Sequence, residues 1–125
     1  MNADWRQLAR SAGHAVRDDS IEVAFDGGRR QVVHIDESNE GSHRLWSVAA
    51  QPAVVRELRE PRLQMWRRNR VTELVGFRLD KRGRIIGEVL LPSPGLTANE
   101  WELYIRAVAR ACDRFEYLLT GQDPM

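Results

Sequence analysis

Toward the C-terminus, Trp101, Tyr104, Ile105, Val108, Cys112, Phe115, Leu118 and Leu119 recur every three or four residues and so share one helical face. Glu102, Arg106, Arg110 and Arg114 fall away from it. Thr97 and Glu100 make a T-x-x-E capping box, which predicts a helix start at about Thr97, and Gly121 predicts its end. The same period, weaker, links Trp5, Leu8, Ala9, Ala12 and Val16 and predicts a first helix from about Asp4 to Arg17, with Gly13 inside it.

Between these helices the period changes to two. Ile21, Val23 and Phe25 alternate with Glu22 and Ala24, Asp26-Gly27-Gly28 turns the chain, and Arg30 to Asp36 returns with Val33 and Ile35 on one face. A polar connection leads to a third strand, His43 to Ala50, carrying Leu45, Trp46 and Val48. Pro52 lacks the donor a strand ladder needs and closes it. A broken helix follows, first over Ala53 to Arg59 and then from Pro61, suited to a first helical position, to about Arg70. Its spacing from Leu63 puts Trp66 in the core. Val75, Phe77 and Leu79 then alternate, Asp80 to Gly83 turns, and Ile85 to Leu91 returns until Pro92 and Pro94. The predicted class is α+β: a five-stranded antiparallel sheet with helices packed on one face, in the order α-β-β-β-α-β-β-α.

A chain of 125 residues with neither linker nor repeat is expected to be one domain over 1–125, large enough to bury a core without disulfides. Its single cysteine, Cys112, falls on the apolar helix face and cannot form an intrachain bridge. No apolar run is long enough to span a membrane, and the N-terminal residues do not read as a signal peptide, so the expected location is the cytoplasm. Net charge is only +1, but it is uneven. From Arg56 to Arg84 ten cations face four acids, a local sum of +6 that leaves −5 for the remainder.

Candidate chemistry is sparse. His14, His34 and His43 lack the paired spacing of a zinc site, and Asp36, Glu37 and Glu40 lack the alternating pattern of a calcium loop. None of the serines sits in a nucleophile elbow, Cys112 lies far from a helix N-terminus that would activate it, and neither glycine-containing turn makes a phosphate loop. The expectation is a non-enzyme with no catalytic residue, metal or cofactor. The basic residues Arg67, Arg68, Arg70, Arg82 and Arg84, with Trp66 beside the first three, form a candidate patch for single-stranded nucleic acid.

The order of elements carries Trp66-Arg67-Arg68-Asn69 before the fourth strand, and Gly76-Phe77-Arg78-Leu79-Asp80 turning at Gly83. Leu96-Thr97 then opens a helix that holds Ala111-Cys112-Asp113 and Leu118-Leu119. In this it resembles the type III secretion chaperone-like fold and, within it, the YbjN family of small bacterial proteins. The resemblance implies binding of an extended segment of a partner protein along the sheet and first helix, usually by a homodimer. YbjN-like members are regulators or stress-associated modules. The expected function is thus a non-catalytic adaptor or chaperone-like binder of a specific partner protein, with a nucleic-acid-associated regulator using the basic 56–84 region as the alternative. Trp5, Leu8, Trp46 and Val48 are the candidate partner contacts, on whatever part of the sheet the helices leave open.

Overall fold

In the computed structural model, which describes residues 5–38, 41–92 and 97–120, the chain begins with α1 (Trp5–Ser11), β1 (Ala15–Val16), β2 (Ser20–Ala24), β3 (Arg30–Glu37) and β4 (Ser42–Ala50). It continues with α2 (Pro52–Glu57), α3 (Pro61–Val71), β5 (Gly76–Leu79), β6 (Ile85–Pro92) and α4 (Ala98–Thr120). The strands form one antiparallel sheet in the order β1-β2-β3-β4-β6-β5. Asp4, Glu40, Pro94, Leu96 and Gly121, invoked above, lie outside the described residues.

The register explains which side is the core. Ile21 pairs with Val33, Ile35 with Leu45, and Leu45 with Val89, so odd-numbered residues of β2, β3, β4 and β6 share one face. Ile21, Val33, Leu45 and Ile85 there are fully buried. Helix α4 lies across β3, β4 and β6 and meets them with Trp101, Ile105, Val108, Cys112 and Phe115, all buried. Its close seating depends on Gly87. A Cβ built on that residue would stand 2.6 Å from the Cys112 sulfur and 2.9 Å from the Phe77 ring. Leu118, expected on the buried face, is instead 49% exposed, because it lies near the C-terminal end of α4 beside a cleft.

The sheet has six strands, not five, and the difference arises at Gly13. The first helix stops at Ser11 instead of continuing to Arg17. Gly13 adopts φ +90°, and the His14 and Gly13 N–H groups donate back to the Ala9 and Arg10 carbonyls, which ends the helix in a left-handed cap. The freed chain adds Ala15 and Val16 as a short edge strand on β2. The order is therefore α-β-β-β-β-α-α-β-β-α.

At the other edge, Asn69 of α3 acts as a side-chain substitute for a neighbouring strand. Its amide donates to the Phe77 carbonyl at 3.1 Å and accepts from the Phe77 N–H at 2.8 Å. Pairing both backbone groups closes the edge of β5 at that residue. Leu74, at φ +72°, stands between them, with the Val75 N–H bonded to the Glu73 carbonyl in a tight turn that delivers the chain from α3 onto the sheet. Helix α3 turns Met65 into the core and sets the Asn69 amide, four residues on, against the β5 edge. Trp66 consequently faces out, against its expected core position, and its ring lies under the Arg70 guanidinium at 4.9 Å.

The capping box is formed in both directions. The Glu100 N–H donates to the Thr97 hydroxyl at 3.1 Å, and the Thr97 N–H donates to the Glu100 carboxylate at 3.0 Å. Thr97→Ala should lower stability by about 1 kcal/mol in urea unfolding, with Thr97→Ser close to wild type. Equal losses in both variants would show that the hydroxyl is not what holds this helix end.

Candidate functional site

Even-numbered residues populate the other face of the sheet, which α4 does not cover. At its centre His34 and Trp46 are directly opposed on β3 and β4, their rings stacked 4.2 Å apart at 23°. The indole N–H donates to Asp36 at 3.1 Å. Two guanidiniums, Arg44 and Arg84, each stand 5.2 Å from the indole ring.

An ionic ladder frames this aromatic platform. Arg44 reaches Glu88 at 2.6 Å and Asp36 at 2.9 Å, while Arg78, on the outermost strand, reaches the same Glu88 carboxylate at 2.5 Å. Arg84 pairs with Asp80 at 2.7 Å, and the Asp80 carboxylate also accepts from the Arg82 and Arg84 backbone N–H groups. Burial alone would raise both carboxyls. For Asp80 the hydrogen bonds from Arg84 and Arg82 win, for Glu88 the hydrogen bonds and charges of Arg78 and Arg44, and each pKa lies below its ordinary value. Arg44, Arg78 and Arg84 are thus neutralised in place, and they set a lattice of paired charge around an aromatic plate.

Trp46, Arg82 and Arg84 line one hollow of about 250 Å³ with Arg44, Arg78, Asp80 and Lys81, over the buried side chain of Ile86. Val48 stands on the same face, opposite Ile86 and half-buried. Trp5 and Leu8 lie elsewhere. Helix α1 packs against α4 on the covered side, where Trp5 is 2% exposed and donates its indole N–H to Glu37 at 2.9 Å, and Leu8 packs on the core. The basic residues do not form one patch. Arg67 and Arg68 line a cleft between α3 and α4, Arg70 lies over Trp66, and only Arg82 and Arg84 reach the open face.

His34, Asp36, Arg44, Arg78 and Glu88 are site residues that the apolar alternation passes over. Their signal is the complementary one: polar and aromatic side chains at even positions on strands whose odd positions are apolar. Burial pushes the His34 imidazole below its ordinary value, with Asp19 and Asp36 opposing and Arg84 adding. A depressed folded-state value means that the unfolded chain binds this proton more readily. The stability present above the ordinary histidine range is therefore lost as pH falls through the folded value. The urea midpoint should decline between about pH 7 and pH 5, and His34→Phe, which keeps the stack without the proton, should flatten that decline. An unchanged slope in His34→Phe would assign it to another group.

Cys112 is fully buried and its thiol is pushed up to about 12, chiefly by burial, so it is held as an inert thiol. Among the described residues no cluster of three metal-ligating side chains occurs, and no helix is long and apolar enough to cross a membrane.

An antiparallel sheet with a long C-terminal helix on one face is a fold this chain shares with solved structures that include a type III secretion chaperone complex. Three solved structures, each 14% identical to this chain, share it. YbjN from E. coli superposes with a TM-score of 0.68, covering 93% of this chain and 88% of that one. A chain of the heterodimeric ExoU–SpcU complex from the type III secretion system of Pseudomonas aeruginosa gives 0.59, with 94% and 98% covered. A chain from the complex of the Yersinia pestis type III secretion chaperone SycH with a stable fragment of YscM2 gives 0.59, with 90% and 99% covered. No curated protein matches the sequence. Residues 4–119 match the model of a family described as "Putative bacterial sensory transduction regulator", and the chain belongs to that family, YbjN.

Proposed function

We propose that this protein is a non-catalytic adaptor that holds a specific partner protein on the open face of its sheet, in the cytoplasm and as a homodimer. The observation that carries the reading is the His34–Trp46 platform, an aromatic plate set in paired charge on a face that α4 leaves uncovered. An aromatic anchor surrounded by satisfied polar groups is the usual composition of a protein-binding hot spot. The kinship in fold with chains from the HopA1–SchA chaperone–effector complex and from the ExoU–SpcU and SycH–YscM2 complexes points the same way. The partner segment lies across the face and does not extend the sheet at β5, whose edge Asn69 occupies at Phe77. The pairing of Arg44, Arg78 and Arg84 with carboxylates weakens the pull of this face on a polyanion.

The test is capture of partners from native lysate by the tagged full chain, with nuclease present, followed by mass spectrometry and by sedimentation velocity of the purified protein. One stoichiometric protein retained through nuclease treatment supports the adaptor. Material recovered only when nuclease is omitted would replace it with the nucleic-acid reading, and a monomer at micromolar concentration would remove the dimer.

A further inference from the structure

The arginines of α3 and of the turn before it are in a different electrical state from those paired on the open face. Arg44, Arg78 and Arg84 are each paired with a carboxylate, whereas Arg59, Arg67 and Arg68 make no ion pair among the described residues. These three converge on one cleft of about 470 Å³ between α3 and α4, where Glu60 is the sole acid lining it among the described residues. The Nε–H of Arg68 is buried there without a hydrogen-bond partner, a state that folded proteins rarely leave uncorrected. Beneath the guanidiniums the cleft is apolar. Phe115 lies at its base, while Val71 and Leu118 remain 69% and 49% exposed.

We propose that this cleft is a second contact site, which takes an acidic segment of the partner protein anchored by an apolar side chain. The proposal rests on the partner-binding reading for the existence of a partner, but not on the open face. Carboxylates would meet the guanidiniums of Arg59, Arg67 and Arg68 at the cleft lining, while an aliphatic or aromatic side chain covers Val71 and Leu118. The cleft chemistry favours a peptide over single-stranded nucleic acid. Base stacking needs an exposed aromatic face, and Phe115 is buried, with its ring packed edge-on against Phe77. Trp66, the exposed aromatic of α3, is outside the cleft lining and stacked under Arg70. The two sites would hold two stretches of one chain, an arrangement in which weak contacts combine into firm binding.

The probe is a fluorescein-labelled synthetic peptide, Asp-Glu-Leu-Glu-Asp-Phe-Glu-Glu-Leu-Asp, titrated with the full chain by anisotropy. Binding should weaken as salt rises and fall at least about tenfold in Arg59→Glu/Arg67→Glu, whose two residues are exposed and so leave the fold intact. Arg68→Gln should weaken it as well, and Trp46→Ala should leave it unchanged. Equal binding of the Gln/Asn version of the peptide would overturn the proposal. So would a loss confined to Trp46→Ala, which would place the peptide on the open face, or tighter binding of an oligonucleotide of equal charge through the same arginines. Because the peptide assay needs no natural partner, its failure is separate from failure of the lysate capture.

Discussion

Trp46→Ala should cost the protein its partner, weakening affinity at least about 30-fold, or ~2 kcal/mol, while the chain remains folded. The indole is half-buried at the centre of the open face, and its internal ties are a stack on His34, a hydrogen bond to Asp36 and two guanidinium contacts. An aromatic pair contributes about 0.5–1.5 kcal/mol and a single hydrogen bond about 1, so these two ties together put the loss of stability at about 1.5–2.5 kcal/mol, short of unfolding a domain. Trp46→Phe keeps the ring and loses the N–H, and should fall between the two. The check is calorimetric titration with the captured partner, alongside urea unfolding of each variant. Unfolding of Trp46→Ala would identify the residue as structural, and undiminished affinity would move the binding site off this face.

Gly87→Ala should produce the largest loss of stability of any one-methyl change in the chain, about 1–3 kcal/mol or more. The added methyl has nowhere to go, since the Cys112 sulfur at 2.6 Å, Phe77 at 2.9 Å and Val75 at 3.1 Å all belong to the buried core. Relief can come only from α4 lifting away from the sheet or β5 shifting with Phe77. Either movement strains the Phe77–Phe115 edge-to-face pair, whose centroids are 4.7 Å apart. Removing the sulfur should recover part of the loss, so that Cys112→Ala/Gly87→Ala is less destabilised than the two single changes predict. Urea midpoints of the four proteins measure this coupling. Strict additivity would mean that the helix seats differently from the arrangement described.

Local patterns go a long way in this chain because its strands keep a strict period and its turns carry their own chemistry. The capping box at Thr97 and Glu100, the apolar seam of α4, both hairpins and the break at Pro61 are all legible without tertiary information. Where local pattern misleads, a longer-range competitor explains it. Val16 continues the helical spacing of Trp5 and Leu8, yet Gly13 ends the helix and β2 offers Ala15 and Val16 a strand partner. Trp66 keeps helical spacing with Leu63, but Asn69 anchors α3 to β5 and fixes which side turns inward.

The candidate site divides in the same way. Trp46 and Val48 could be named from sequence because large apolar residues in a strand must face one side of the sheet or the other. Which side is open is a matter of register and of where α4 lies, and neither is encoded within β4. Trp5 and Leu8, equally apolar, went to the covered side because α1 packs on α4. The basic residues show the point most clearly: one run of charge in the sequence becomes a cleft of unpaired arginines on α3 and a neutralised ladder beside Trp46, depending on which carboxylates the fold brings near. The sequence by itself determined the α+β class, both hairpin turns, the final helix and most of that helix's buried face. Only the tertiary structure decided the sixth strand, the open face and the pairing state of each charge, because strand register and helix placement arise from contacts between residues far apart in the chain.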